Sequence, residues 1–258
     1  MEKMTLKKIE AMANEATTVE EALQLLYSLR NEYANAEKVI EKYEKKKAAE
    51  DKERERFAKM CRYELAARAS GKKLIAGIDE AGRGPLAGPV VAACVILPEN
   101  VFISGLNDSK KLSPAQRDFL FDEIREKAVT YGVGIADEKL IDEINILNAT
   151  KAAMIDAIKG LGRFPDLLLI DAVKLENVPV EQIPIIKGDS LSISIAAASI
   201  IAKVTRDRMI DALDTDYPQY GFKNHKGYGT EEHINAIKKY GICPIHRVSF
   251  TKNFTREL

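Results

Sequence analysis

The chain has 258 residues, of which 46% are hydrophobic and 30% are charged, a composition typical of one large globular domain with or without an appendage. Basic residues (Lys and Arg) and acidic residues (Asp and Glu) each number 39, so the formal net charge is zero. This balance excludes overall charge as an argument for a polyanionic partner, and any basic surface must be local.

The cysteines and the apolar runs indicate the compartment. The chain has an odd number of cysteines, which are Cys61, Cys94 and Cys243, and none of them forms a CxxC motif. This argues against a disulfide framework or a zinc site. The first ten residues lack an apolar signal region. No uncharged apolar run approaches the roughly 20 residues that a membrane span needs. We therefore expect a cytoplasmic protein with no membrane partner.

Residues 1–70 contain no proline or glycine, and they carry many charges. Thr17 with Glu20, or Thr18 with Glu21, matches a capping box and predicts the start of a helix. Apolar residues then recur at alternating spacings of four and three: Ala22, Leu26, Leu29, Tyr33, Ala36, Ile40 and Tyr43. This pattern predicts a longer helix whose narrow apolar seam packs against one partner helix.

A shorter helix over about residues 5–16 is available to pack on the longer one. Acids and bases nearly balance over residues 42–59, which favours a solvated helix over a nucleic-acid-binding arm. The composition changes at Gly71. We interpret residues 1–70 as a helical N-terminal extension and residues 71–258 as the main domain with a helical C-terminal region.

The main domain begins with strands. Residues 74–78 and 90–97 are short apolar runs separated by a loop rich in glycine and proline, so both are predicted strands. A helix follows from the N-cap Ser113 and Pro114. Residues 129–136 predict a third strand, and Asp137 or a neighbour caps a long amphipathic helix. Its predicted apolar face comprises Leu140, Ile144, Leu147, Ala152, Ile155 and Ile158.

In the second half of the domain, predicted strands and helices alternate. Residues 167–170 form an uninterrupted apolar run, typical of a central parallel strand, and residues 184–187 predict a shorter strand. A helix buried in its first half follows over residues 192–213. The end is looser, with a short helix near residues 231–239 and then a tail. The element order predicts an α/β fold with a mixed sheet and helices on both faces.

Four acidic residues lie where the predicted strands end. Asp79 and Glu80 end the first strand, Asp171 ends the strand over residues 167–170, and Asp189 follows the next one. Carboxylates at the ends of neighbouring strands can converge on one cleft and bind Mg²⁺ or Mn²⁺. Two such ions about 4 Å apart can assist phosphodiester hydrolysis. Strand-end acids are common, however, and Asp189 could instead cap the helix that follows.

Several motifs resemble one known family. The segment over residues 77–90 reads GIDEAGRGPLAGPV and resembles the signature of prokaryotic ribonuclease HII. The resemblance continues in order through NDSKKL at 107–112, IDA at 170–172, KGD at 187–189, AAASIIAKV at 196–204 with Arg206 and Asp207, and KGYGT at 226–230. It runs from about residue 72 to residue 250 without a missing block.

The resemblance implies a ribonuclease H-like fold, with a five-stranded mixed sheet flanked by helices and a catalytic domain over residues 71–258. It implies a catalytic, metal-binding site that matches Asp79, Glu80, Asp171 and Asp189, with two Mg²⁺ or Mn²⁺ ions. The implied activity is endonucleolytic cleavage of RNA in RNA–DNA hybrids and at ribonucleotides embedded in duplex DNA. The products carry 5′-phosphate and 3′-hydroxyl ends, and we expect a monomer.

Substrate-binding roles follow for the glycine-rich loop and for Tyr228. Gly82 and Gly84 let the backbone approach the ribose 2′-OH. Arg83 would bind phosphate with its planar guanidinium. The alternative role, a salt bridge to Glu80 or Asp171, is compatible with this one. Tyr228 would stack on a sugar or base, with packing in the core as the alternative.

Further basic residues are candidate phosphate contacts, of which Lys110 is the first. The others are Lys111, Lys203, Arg206, Lys223 and Lys226. None of the three histidines, His225, His233 and His246, is expected to bind metal, because hard ions prefer carboxylate.

Three other functions compete with the nuclease. A different metal-dependent phosphotransferase of the same fold would share the acids but would not need a loop that reads the 2′-OH. A nucleotide-binding module could cradle phosphates with residues 82–88, but the chain has neither GxxxxGK[ST] nor a GxGxxG before a helix. A non-catalytic hybrid-binding protein would not need the intact set of acids.

Overall fold

The computed structural model describes residues 4–176 and 178–255. The chain divides into two compact units, Met1–Ala58 and Lys59–Leu258. The first unit contains α1 (Leu6–Asn14), α2 (Val19–Leu29) and most of α3 (Ala36–Met60). Within the described part of the chain, no helix is both long enough and apolar enough to cross a membrane.

The first unit is a small helical core. Thr18 caps α2, because its side chain accepts a hydrogen bond from the N–H of Glu21. The prediction of one continuous helix with a seam is wrong, because the chain turns over residues 30–35 between α2 and α3. Asn31 and Asn35 lie in this turn, and asparagine favours turns. The two halves of the seam therefore share one buried cluster within the unit, which includes Leu26 and Ile40.

The boundary between the compact units lies before α4 (Arg62–Ala69), not at Gly71. Ala67 of α4 belongs to the same buried cluster as Ile75 and Ile195 of the second unit. The change in composition at Gly71 therefore marks the approach to the first strand and not the edge of a compact unit. The division into a functional extension and a catalytic domain stays a prediction.

The second unit is built on one mixed sheet, as predicted. Its strands are β1 (Ile75–Ala81), β2 (Val90–Ile96), β3 (Thr130–Ala136), β4 (Leu167–Asp171) and β5 (Glu181–Ile185), in the order β3-β2-β1-β4-β5. Strands β1, β2 and β3 are antiparallel neighbours, whereas β1, β4 and β5 run parallel. The parallel strands β1 and β4 are central, and both are apolar along almost their whole length because both faces are covered.

Helices cover both faces of the sheet. Ile78 of β1 packs in a cluster with residues of α6 (Glu138–Gly160), whereas Ile75 packs on the opposite face with Ile195 of α7 (Ile193–Asp216). Successive strand residues point to opposite faces, so this alternation is expected. Gly77 lets α7 approach, because an added Cβ would lie 2.0 Å from the carbonyl carbon of Ser194. The other helices of the unit are α5 (Pro114–Lys127), α8 (Phe222–His225), α9 (Glu231–Tyr240) and α10 (Val248–Thr255).

The predicted apolar face of α6 is partly wrong. Leu147 is 43% exposed, and the buried residues of the second part of α6 include Ala149, Ala153 and Ala157. The cause is Asn145, whose φ of 68° interrupts the helix. Its side chain accepts hydrogen bonds from the N–H groups of Leu147 and Asn148 and so caps a second helical segment. The rotation at this break changes which residues face the sheet.

The strand predicted over residues 184–187 and the C-terminal tail also differ from expectation. Strand β5 begins earlier, at Glu181, and includes Pro184, which is tolerated because β5 is an edge strand. The tail contains helix α10. Asp142 of α6 accepts hydrogen bonds from the N–H groups of Val248 and Ser249 in the first turn of α10. This capping residue comes from another element, so no local pattern could reveal it.

Candidate active site

Asp79 lies near the end of β1, and Asp171 is the last residue of the neighbouring parallel strand β4. Ile78 of β1 is paired with Ile170 of β4, so the two aspartates occupy the next position on each strand. The carboxylate of Asp171 accepts a hydrogen bond of 2.8 Å from the N–H of Gly188. Gly188 opens the short 3₁₀ turn that carries Asp189. The structure thus brings these acids together at the carboxyl ends of β1 and β4.

The negative charge of this cluster is only partly balanced, by Arg83 and Lys110. Burial raises the pKa of Asp79 well above its ordinary value, and the charges of Glu80 and Asp171 raise it further. Burial also raises the pKa of Glu80, although Arg83 opposes this change. For Asp189, burial is again the largest cause of a raised pKa. The site therefore holds buried carboxylates that a positive charge would stabilise.

The donor set fits a divalent cation. All four predicted ligands are carboxylates, which hard ions prefer, and Oε2 of Glu80 is buried with no hydrogen-bond partner. As they are placed, no three His, Cys, Asp or Glu side chains in the described ranges are arranged to hold an ion. Besides Asp171, which accepts from Gly188, two other carboxylates of the cluster have protein partners: Asp79 accepts the N–H of Glu80 at 2.8 Å, and Glu80 lies 3.3 Å from the guanidinium of Arg83.

The loop before α5 adds a carboxylate and two lysines to the site. Burial by itself would lower the pKa of Lys110. The negative charges of the nearby carboxylates, of which Asp189 contributes most, outweigh the effect of burial, so the pKa of Lys110 is raised. Lys111 donates a hydrogen bond of 3.0 Å to the hydroxyl of Ser190. Asp108 is a site residue that sequence reasoning missed, and its carboxyl adds to the raised pKa of Asp189. Its only sequence signal was its place in the NDSKKL motif.

The glycine-rich loop lies between the acids and Tyr228. Gly82 has a φ of +96°, and an added Cβ would lie 2.1 Å from Nε of Arg206, so a side chain is excluded. Tyr228 is about half exposed, and its ring lies 3.7 Å from the position of an added Cβ on Gly84. The backbone N–H of Leu86 donates to the carbonyl of Gly227, which ties the loop to the segment carrying Tyr228. The structure therefore places Tyr228 beside Gly84.

The candidate phosphate contacts divide into two groups. Lys110 and Lys111 face the acid cluster, and Lys223 is exposed. Lys203 pairs with Asp207 and Lys226 pairs with Asp211, so both lysines already have acidic partners.

Arg206 was one of the candidate phosphate contacts, and its burial contradicts that role. Its guanidinium is fully buried and donates to the carbonyls of Pro89, Ala87 and Lys226. Arg247, a second buried arginine, was missed altogether. It lies in the loose C-terminal region, where no motif distinguished it.

Comparison with known proteins identifies the family. The model of the family described as Ribonuclease HII matches residues 76–253, which include all four acids, the glycine-rich loop and Tyr228. The chain belongs to the ribonuclease HII family. It is therefore an endonuclease of the ribonuclease H type, and this membership favours the nuclease over the three competing functions.

Two curated ribonucleases HII and one solved structure support this assignment. The protein of Acetivibrio thermocellus is 62% identical over 255 residues, covering 98% of this chain and 99% of the relative. That of Ruminiclostridium cellulolyticum is 57% identical over 251 residues, covering 97% and 98%. The crystal structure of the ribonuclease H2 from Pyrococcus horikoshii OT3 is similar with a TM-score of 0.58 and 30% identity, covering 70% of this chain and 99% of that one. The ribonuclease H-like fold is thereby confirmed.

Proposed function

We propose that this ribonuclease HII cleaves the RNA strand of RNA–DNA hybrids and single ribonucleotides embedded in duplex DNA, leaving 5′-phosphate and 3′-hydroxyl ends. One observation carries the proposal. Asp79 is a buried carboxylate near the end of a central strand, with a pKa raised by burial and by its acidic neighbours. A fold that buries such a group, with no salt bridge to it in the described ranges, is suited to receive cations together with a phosphodiester.

Asp79, Glu80, Asp171 and Asp189 would hold the cations, which we propose to be two Mg²⁺ or Mn²⁺ ions. When bound, such ions supply Lewis-acid stabilisation of the charge on the reacting phosphate. The protein's own contribution is to fix the carboxylates on two adjacent strands and one short turn. Lys110, whose pKa is raised by these carboxylates despite burial, would balance part of their charge and contact the substrate phosphate.

Recognition of the ribose would fall to the glycine-rich loop and to Tyr228. Arg83 and Gly84 form an exposed bend next to the acids, whereas Gly82 is buried against Arg206. The absence of a side chain at Gly84 would let a sugar approach the backbone. Tyr228 would pack against the sugar from the far side of Gly84. The salt bridge between Arg83 and Glu80 is compatible with a contact to phosphate, because the side chain of Arg83 is 45% exposed.

The partners and compartment proposed here are those expected from the sequence. The duplex substrates are an RNA–DNA hybrid and a DNA duplex that contains ribonucleotides. The three free cysteines suit a reducing compartment, and we propose a monomeric cytoplasmic enzyme.

The direct test is a DNA duplex with one embedded ribonucleotide, incubated with full-length protein and with Mg²⁺, Mn²⁺ or a chelator. We expect one cut at the ribonucleotide with either ion, none with the chelator, and ends that a ligase or phosphatase assay identifies as 5′-phosphate and 3′-hydroxyl. The same duplex without the ribonucleotide is the matched control. Cleavage of the all-DNA duplex at a similar rate would contradict the proposal and favour a general nuclease.

A further inference from the structure

Arg247 binds the inner side of the glycine-rich loop. It is fully buried and donates to the carbonyl oxygens of Gly82 (2.6 Å), Arg83 (2.9 Å) and Gly88 (2.8 and 2.9 Å). No carboxylate in the described ranges forms a salt bridge with it. Burial and the neighbouring Arg206 lower its pKa to about 9. A buried guanidinium without a carboxylate is costly, so this arrangement indicates a role that a neutral residue would not serve.

The direction of these carbonyls decides where the loop's N–H groups point. In a planar trans peptide the C=O of one residue and the N–H of the next point in opposite directions. Because Arg247 holds the carbonyls of Gly82 and Arg83 inward, the N–H groups of Arg83 and Gly84 point away from it. Both residues are exposed. Within the described part of the chain, neither N–H has a hydrogen-bond acceptor.

The two N–H groups are thus adjacent and free, and they lie between Tyr228 and the acid cluster. Two neighbouring N–H groups that point the same way form a concave donor site for an oxygen atom. A lysine in place of Arg247 could not hold the three carbonyls together, because only the guanidinium has donors in a rigid planar fork.

We propose that Arg247 is a positioning residue, which fixes two peptide units so that the N–H groups of Arg83 and Gly84 are presented to the oxygen of the ribose 2′-OH. The inference rests on the proposed function, in which this loop reads the ribose. Arg206 does not share the role. It holds the carbonyls of Ala87, Pro89 and Lys226, and none of these belongs to the two peptide units.

The test measures binding, so that it does not depend on the rate of cleavage. In full-length Asp79→Asn protein, the dissociation constants are measured for a duplex with one ribonucleotide and for the same all-DNA duplex. The dissociation constant of the all-DNA duplex divided by that of the ribonucleotide duplex reports ribose recognition. Arg247→Lys should lower this ratio about tenfold, as expected for the loss of one or two hydrogen bonds, while the affinity for the all-DNA duplex changes little.

A second variant and a control separate positioning from stability. Arg247→Gln removes the charge and with it the cost of burying it, so this variant should fold even where the lysine variant does not, and it should show the same loss of preference. Ile124→Ala, at a buried position of α5, is the control that destabilises the protein without touching the loop. It should keep the parent's ratio.

A further measurement needs no Arg247 variant. By NMR, the amide protons of Arg83 and Gly84 should exchange rapidly with solvent in the free Asp79→Asn protein. They should be protected by the ribonucleotide duplex more than by the all-DNA duplex. Protection already in the free protein would overturn the proposal.

These results separate ribose recognition by the loop from the positioning role of Arg247. A parent that binds both duplexes equally would overturn ribose reading by this loop, and the role of Arg247 with it. A parent that prefers the ribonucleotide duplex, together with Arg247 variants that keep that preference, would overturn only the role of Arg247.

Discussion

The Nε2 atoms of His233 and His246 lie 3.0 Å apart in the protein interior, and their surroundings fix both tautomers. Nδ1 of His233 lies 2.9 Å from the carbonyl oxygen of Tyr228, so it carries a proton and donates. Nδ1 of His246 accepts from the N–H of Cys243. The proton between the rings therefore belongs to His246, and both imidazoles are neutral. This chain of hydrogen bonds ends on the backbone of the proposed ribose-contacting residue.

The first prediction concerns the pH dependence of stability. Burial, followed by the charge of His233, lowers the pKa of His246 from 6.5 to about 4. Between these values the unfolded chain binds a proton that the folded chain does not, so His246 makes the folded state less stable as the pH falls through this window. The contribution is at most about 3 kcal/mol.

Urea unfolding of the wild type and of His246→Gln at pH 7, 5.5 and 4.5 tests this. Carboxylates titrate in the same window, so the quantity to compare is the difference in the free energy of unfolding between the two proteins. That difference should shrink or reverse towards pH 4.5. A difference that stays constant with pH would show that His246 titrates normally in the folded protein.

The second prediction is that Asp79→Asn removes cleavage and stabilises the protein in the absence of divalent cations. The raised pKa of Asp79 means that its charged form costs folding energy at neutral pH, and asparagine removes that cost. We expect a gain of about 1 kcal/mol or more in the free energy of unfolding in chelator. Added Mg²⁺ should stabilise the wild type more than the variant.

A matched control is Asp118→Asn, at an exposed aspartate of α5 that pairs with Arg208. It should keep full cleavage and change stability by less than about 0.5 kcal/mol. Cleavage at the wild-type rate by Asp79→Asn would remove the basis for the proposed site.

The sequence revealed some features of the site and the fold and concealed others. Asp171 was identifiable because four apolar residues lead into it and mark a central strand that β4 indeed forms. The acceptors of Arg247 lie about 160 residues earlier in the chain, so only the folded structure could show what this residue does. The break at Asn145 was hidden for a different reason, because the apolar spacing on either side of it fits one continuous helix.

The third prediction separates the ring of Tyr228 from its hydroxyl. The ring lies beside Gly84, and the residue is about half exposed. Tyr228→Ala should lower kcat/KM for a single embedded ribonucleotide about tenfold or more, because stacking on a sugar or base is worth about 1–3 kcal/mol. Tyr228→Phe should keep most of the binding if stacking dominates. Tyr240 is an exposed tyrosine on α9, and the control variant Tyr240→Ala should change neither kcat/KM nor substrate binding. Unchanged selectivity in Tyr228→Ala would exclude a role in reading the ribose.

The last prediction concerns the segment between the two proposed domain boundaries. Glu64 of α4 is buried, and its Oε1 accepts from the hydroxyl of Ser192 (2.6 Å) and from the N–H of Ser194 (3.0 Å). It thus caps the start of α7, where Ser192 also donates its N–H to the carbonyl of Gly188, beside Asp189. A carboxylate near a helix N-terminus is favourable, so α4 supports the turn that carries Asp189, one of the proposed catalytic acids.

Two truncations test this support. Deletion of residues 1–58 should leave a folded protein with nearly unchanged stability, because the second compact unit begins at Lys59. Deletion of residues 1–70 should cost about 2–3 kcal/mol in the free energy of unfolding, as expected when a charged partner of buried hydrogen bonds is lost. It should also lower cleavage.

Glu64→Ala in the full chain should reproduce most of that loss, whereas Glu64→Gln, which keeps the accepting oxygen, should cost less. Equal stability of the two truncated proteins would show that α4 is dispensable, and it would favour Gly71 as the domain boundary over Lys59.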